Sequence, residues 1–482
     1  MSITPTSAQF KANAHQALGD ADLQSALAHV PTGFVANRAS AVANLPEFDA
    51  LRDSARDIKN HTLAHLDLYL EAYEAKVKAA GGHVHFARTS DEANAIVLAI
   101  CKAHDAHIVT KGKSMISEEM GLNAVLAANA ITPVETDLGE YIIQLRHETP
   151  SHIIAPAAHL TKAQVEGDFR RIHVNLDIAR NLEEPETLLA EARTILRQNF
   201  LKADVGITGA NFLIAETGTS IIVTNEGNGD LTQTLPKVHI VLASIEKLVP
   251  TLEDAAQILR VLARSATGQD MSVYTTLSTG PRRPDDPDGP EHYHVIILDN
   301  GRSSMLASPF ADMLRCIRCG ACMNHCPVYQ AVGGHAYGWV YPGPMGAVLT
   351  PALIGLDQSA DLPNASTFCG KCEEVCPVRI PLPKLMRLWR DRAFERHLMP
   401  WTQRAALGFW AFFAKNPRLY RAATSMAIWA LGLFGRGKDN LNALPFLKAW
   451  TKSRDFPVPQ GGTFQAQWAK RNAGPQTRAP RS

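Results

Sequence analysis

Between Ala41 and Lys78, apolar residues recur at three- and four-residue spacing (Leu51, Ile58, Leu63, Leu66, Leu70, Tyr73) with charged residues between them. That period belongs to an amphipathic helix, so residues 1–80 read as a helical lead-in. From His83 to Asn300 the pattern changes to short β-rich runs between helical stretches. It predicts strands at His83–Phe86, His107–Thr110, Ile142–Leu145, Phe212–Glu216, Ser220–Thr224, Val238–Ala243, Ser272–Thr276 and Tyr293–Leu298. It predicts helices at Asp91–Ala103, Glu118–Ala128, Glu186–Lys202 and Leu252–Ala263. Such alternation favours an α/β domain over residues 81–300 with a largely parallel sheet. The Gly- and Pro-rich stretch Gly280–Pro290 reads as a surface loop within it.

Residues 301–395 lose this periodicity and carry cysteines. Tyr329–Thr367, rich in Gly, Pro and aromatics, is expected to form turns and a short helix that wrap the cysteine region. Beyond it, residues 396–482 form a helical extension with two apolar segments, Ala405–Ala414 and Ala422–Phe434, and a Gly/Pro/Gln/Arg-rich tail expected to be disordered. Neither segment reaches the ~18–20 apolar residues that cross a bilayer. Packed helices or a partner-binding surface are favoured over peripheral membrane contact.

The 482 residues hold 48 Lys+Arg against 47 Asp+Glu, a balance that gives no reason to expect a nucleic-acid partner. The opening MSITPTSAQFKANAHQ has neither a basic n-region nor an apolar h-region, and a cytoplasmic location is expected. Seven of the eight cysteines lie in two tight runs and only Cys101 stands apart, which points to metal rather than a disulfide framework.

Cys316, Cys319, Cys322 and Cys326 followed by Pro327 have ferredoxin spacing: three thiolates meet one iron–sulfur cube and the Cys before Pro reaches the other. The second run, Cys369, Cys372 and Cys376 before Pro377, lacks its first cysteine, and counting back three residues reaches Ser366. Two 4Fe-4S clusters are therefore expected. Cluster one takes Cys316, Cys319, Cys322 and Cys376; cluster two takes Cys326, Cys369 and Cys372. The gap in cluster two leaves open a non-cysteine ligand, a three-iron cluster or a labile one, and Ser366 itself reads first as a turn residue. Zinc fits poorly, because zinc sites close with paired Cys-x2-Cys units. Arg318 and Lys371 inside the runs would raise potentials or sit as solvated rim charges.

In the α/β domain, Thr110–Asn123 follows a strand and opens a helix with Ser117 as its cap, so Lys111 and Lys113 are candidate anion ligands. Glu135, Asp137 and Glu140, and Glu216 beside a Gly-Thr turn, lie on strand-end loops where α/β sheets bind ligands. No G-x-G-x-x-G or Walker motif supports a nucleotide site. His147, His152, His159 and His173 lack compact metal spacing and read as ordinary loop or core histidines. No catalytic residue is named by this pattern.

The segments KGKSMISEEMGLN, VETDLGEYIIQL, GITGANFLIAETGTS, CIRCGACMNHCPVY and CGKCEEVCPVRIPLP together resemble the lactate utilization protein B (LutB/YkgF) family over roughly residues 40–470. The resemblance implies a LUD domain similar in fold to NagB/RpiA/CoA-transferase-like α/β proteins, a two-cluster ferredoxin-like domain and a helical C-terminal extension. It implies that the missing cysteine is the family's own pattern. It also implies an electron-transfer subunit that works with lactate utilization proteins A and C in oxidising L-lactate to pyruvate, allowing growth on lactate. The chain is then an oxidoreductase component whose electron acceptor is open. The alternative is that the LUD domain itself binds or converts the hydroxyacid near Lys111, Lys113 and Glu216; a redox sensor is a third reading.

Overall fold

The computed structural model describes residues 4–177, 179–444, 451 and 454–473, which fall into one unit up to Ala393 and a second from Phe394. In the first unit, strands β1 (His83–Ala87), β2 (Ile108–Gly112), β3 (Thr132–Glu135), β4 (Val205–Gly209), β7 (Val238–Ser244) and β10 (His292–Leu298) form a parallel sheet in the order β1-β10-β7-β4-β2-β3. Side chains alternate across it, so a strand covered on both faces must be apolar throughout. Ile296 and Leu298 meet Val97, Cys101 and Leu126 from helices on one side, whereas Val295 and Ile297 meet Leu66, Tyr73 and Val77 from the other. A second sheet, β8 (Leu248–Val249), β5 (Phe212–Ile214), β6 (Thr219–Thr224) and β9 (Tyr274–Ser278), is antiparallel except for the β5–β8 pair.

The α/β expectation holds, with local corrections. Ile142–Leu145 is not a strand but the end of the helix Leu138–Leu145; Asp137 caps it by accepting from the Gly139 and Glu140 amides, and Tyr141 and Ile142 turn into a core with Phe169 and Leu196. A short apolar run fits either state, and here the cap decided. Strands β3 and β4 escaped notice because Pro133 and two glycines weaken their β signal. Gly206 is nevertheless required: a Cβ there would lie 1.7 Å from the Thr232 carbonyl oxygen. The helix expected over Glu118–Ala128 is two, Met115–Met120 and Leu122–Ala128, broken at Gly121 with φ of 64°. Its N-cap is Ser114, whose side chain accepts from the Ser117 amide; Ser117 is inside the helix. The lead-in is also segmented, into the α-helices Phe10–Gly19, Ala21–Leu27, Ala36–Ala43, Phe48–Ala64 and Leu66–Ala79.

In the second unit the helices Trp401–Ala414 and Pro417–Phe434 pack together and bury none of their described residues. Phe409, Trp410, Phe412, Met426, Trp429 and Phe434 are exposed. Among the described residues no helix is long and apolar enough to cross a membrane. The Gly/Pro/Gln/Arg-rich tail, expected to be disordered, includes a helix, Phe464–Asn472, capped by Thr463; its residues from 474 on lie outside the described residues.

Candidate iron–sulfur site

The two cysteine runs fold as the same backbone turn used twice. Arg318 and Phe368, each just before a cysteine, have φ of 60° and 55°, and Gly320 and Gly370, each just after one, have φ of 75° and 82°. Left-handed residues on both sides of Cys319 and Cys369 fold the chain back sharply. One turn of helix then carries Cys322 in Ala321–Asn324 and Cys372 in Lys371–Glu374. In this register Ser366 corresponds to Cys316. Its Oγ accepts from the Phe368 amide at 3.0 Å, a local turn.

All eight cysteines are free of disulfides. Cys319, Cys322 and Cys376 are buried and within electrostatic reach of one another and of Cys316, while Cys372 is buried and within reach of Cys326 and of the exposed Cys369. Burial pushes the thiols of Cys319 and Cys372 up to about 12, so a thiolate there needs a soft cation beside it. Among the described residues no three His, Cys, Asp or Glu side chains close around a single ion. A four-iron cube does not require that, because each thiolate binds a different iron. Soft, buried thiols in this doubled turn fit iron–sulfur clusters. Cys101 is elsewhere, sealed in the helix Ser90–Ala103 with its thiol also pushed up to about 12 by burial.

The lead-in does more than precede the sheet. Arg38 donates to the Val375 carbonyl and Arg52 to that of Cys376, both at 3.0 Å, while Gln24 donates to Ala331 at 2.8 Å. The two arginines tie the peptide around Cys376, and Gln24 the helix that follows Cys326, to segments more than 300 residues earlier. The two motif cations differ: Lys371 is exposed and paired with Glu374, whereas the Arg318 side chain is 10% exposed, 3.2 Å from Glu246 and stacked 4.8 Å over the Tyr341 ring.

Arg318 belongs to a buried charge network joining the sheet to the first cysteine group. Arg302, fully buried, holds Glu119 at 2.7 Å and Glu246 at 3.0 Å, and the Tyr341 hydroxyl donates to Glu119 at 2.6 Å. Lys59 donates to the carbonyls of Glu246 and Leu248. Burial opposes charge on Glu246, but Arg302 and Arg318 outweigh it and bring the carboxyl to about 2. Burial lowers Lys59 and Lys247 to about 8.

Beside this network, at the C-terminal ends of β2 and β4, lies a cavity of about 160 Å³ whose walls include Lys113, Asn211, Lys247, Arg318, Cys319 and Tyr341. Ligands in open α/β sheets bind at this end of the strands. The sequence-predicted loop residues reach it unevenly. Lys111 is sealed beneath, 2.7 Å from both Glu118 and Glu135; burial works against its charge, the carboxylates outweigh that, and none of the charge is left for an anion. Lys113 reaches the cavity but is paired with Asp137 at 2.6 Å. Glu140 also lines it, and burial together with Glu135 and Asp137 raises its carboxyl well above the usual range. Glu216 is exposed and accepts from the Leu252 amide, at the opposite end of the β5–β6 hairpin from the cavity. The expected grouping of Lys111, Lys113 and Glu216 is therefore not formed.

His159 is bonded to Glu148 and Ser151 at 2.8 Å each and His173 to Glu191 at 2.6 Å, His152 reaches Asn324 at 2.8 Å on the helix that carries Cys322, and His147 takes a turn with φ of 58°. Glu119, Glu246, Lys247 and Arg302 were not anticipated. Glu119 lies in a segment already notable, yet nothing in its spacing tells whether it or Glu118 turns inward.

Residues 70–298 match the LUD domain, 312–380 the 4Fe-4S dicluster domain and 395–473 the C-terminal region of lactate utilisation protein B. An Escherichia coli protein described as uncharacterized electron transport protein YkgF is 41% identical, covering 98% of this chain and 99% of that one. Lactate utilization protein B of Bacillus licheniformis is 42% identical over 95% of each chain, and that of Bacillus subtilis 40% identical over 97% of this chain and 98% of its own. With identity at this level along nearly the whole length, the chain belongs to the lactate utilization protein B family.

Proposed function

We propose that this chain is the iron–sulfur electron-transfer subunit of a complex that oxidises L-lactate to pyruvate together with lactate utilization proteins A and C, and so supports growth on lactate in the cytoplasm. The observation that carries the proposal is the doubled cysteine turn, with one group of thiols buried against the α/β domain and the other reaching the surface at Cys369. Cys316, Cys319, Cys322 and Cys376 hold one 4Fe-4S cluster; Cys326, Cys369 and Cys372 hold a second, one iron of which lacks a cysteine. When bound, such clusters supply one-electron transfer, and lactate oxidation releases two electrons.

The protein's own residues set the conditions for it. Arg38 and Arg52 brace the peptide around Cys376. Arg318, held in a low-dielectric site, adds positive charge beside Cys316 and favours the reduced state there, while the solvated Lys371 has less effect. The exposed aromatic face of the C-terminal helices is of the kind that meets a partner protein.

The test is anaerobic purification with iron, sulfide and zinc quantitation and EPR. About seven or eight irons per chain are expected, reducible by dithionite, with no lactate turnover until A and C are added. Zinc in place of iron would refute the reading; lactate turnover by this chain alone would replace it with a catalytic LUD domain.

A further inference from the structure

The cavity at the ends of β2 and β4 holds a cation with nothing to neutralise it at hydrogen-bond distance. Lys247 is 7% exposed and lines the cavity, yet among the described residues its ammonium has no hydrogen-bond or ion-pair partner. A buried ammonium left in this state is costly unless a ligand supplies the counter-charge. Every other charge in the walls is already committed. Asp137 is paired with Lys113 at 2.6 Å, Glu140 accepts from the Lys113 amide at 3.0 Å while burial, with Glu135 and Asp137, raises its carboxyl, and Arg318 is shared between Glu246 and the Tyr341 ring. Lys247 thus lines the cavity without a partner at hydrogen-bond distance, and Glu246 and Cys316 are the groups that favour its charge from farther off.

Size and polarity narrow the occupant. An apolar cavity of ~150 Å³ takes benzene, a molecule of six non-hydrogen atoms; the present one, at about 160 Å³, suits a molecule of that size. Donors and acceptors line it in place of hydrocarbon alone. Asn211 accepts from the Val223 amide at 3.0 Å through its Oδ1, which leaves its NH2 as a donor, and Thr224 and Gln269 add polar groups. Ile153, Ile154 and Leu262 supply an apolar wall.

We propose that this cavity binds a small 2-hydroxycarboxylate of about six non-hydrogen atoms, its carboxylate held by Lys247 and its hydroxyl by the polar wall, against the peptide that carries Cys319. The choice of a 2-hydroxycarboxylate over other small anions rests on the role proposed above; the cavity and its lysine without a hydrogen-bond partner do not. The site differs from the Lys111, Lys113 and Glu216 grouping considered from the sequence, and it brings the bound molecule next to the first cysteine group. No covalent step is assigned to it.

The test is calorimetric titration of the full chain, purified anaerobically, with L-lactate, pyruvate, acetate and inorganic phosphate, with iron quantified on the same sample. Saturable binding of L-lactate at one site per chain is expected, weakened at least tenfold in K247M and restored toward the wild-type affinity in K247R, with iron content and melting temperature unchanged. Should K247M not fold, A210L, which fills the cavity from another wall, is expected to abolish binding and serves the same purpose. Absence of saturable L-lactate binding, binding unaffected by K247M or A210L, or tighter binding of phosphate than of L-lactate would each overturn the proposal. The two readings fail separately: an iron-replete chain that binds no lactate removes the site and leaves the electron-transfer role, and a lactate-binding chain without iron does the reverse.

Discussion

Ser366 stands in the repeated turn where the first run has Cys316, and its hydroxyl is spent on the Phe368 amide. A thiol at that point would complete the second ligand set. S366C is therefore expected to raise the iron content toward eight per chain and to slow cluster loss in air, measured by iron quantitation and by EPR before and after exposure. An unchanged iron content and unchanged spectra would mean that this position does not face the cluster. The doubled cysteine turn was legible because its spacings of three and four residues are a local matter, and the same backbone turn forms in both runs. Lys247 was not legible. Its lack of a partner depends on residues from β4, the β5–β6 hairpin and the Arg318 turn, and no spacing in the chain encodes that meeting.

Among the elements, the helix Arg302–Leu306 delivers the most deeply buried cation of the fold to two carboxylates from distant segments, Glu119 and Glu246. Removing one member of a buried ion network leaves uncompensated charge, at a cost of about 3–5 kcal/mol. R302M is expected to lose stability on that scale, read as a lower urea midpoint, whereas K371M on the exposed motif helix is expected to change it by less than about 0.5 kcal/mol. Element type was legible where apolar periodicity ran long, as in the helices Pro185–Lys202 and Leu252–Ala266 and in β7 and β10. It failed at Leu138–Leu145, where eight mostly apolar residues fit either state until Asp137 supplied a cap, and at β4, where Gly206 is kept for the close approach of Thr232 and not for strand propensity.

For the whole molecule, buried neutral histidines make stability depend on mild acid. His152 and His239 are held by burial to about 4 and about 3, below the 6.5 they take when exposed. Their folded values are depressed, so the unfolded chain binds more protons below pH 6.5; the stability they allow is intact above that pH and lost as pH falls toward 4. Between pH 7.5 and 5.5 the first unit is expected to lose about 1 kcal/mol for each of the two, measured by urea denaturation. The window lies above that of Glu246, whose depressed carboxyl costs stability only as pH falls from about 4.5 toward about 2. A flat profile between pH 7.5 and 5.5 would mean that these rings reach solvent. What the chain order alone settled was the α/β class, the doubled cysteine run with its gap and the apolar C-terminal helices, because each is written in periodicity or spacing over a few residues. What required the folded chain was the bracing of Cys376 by Arg38 and Arg52, the Glu119–Arg302–Glu246 network and the cavity beside Cys319. These join positions up to several hundred residues apart, and whether a charge is paired, buried or left facing a cavity is decided only when the sheet brings those positions together.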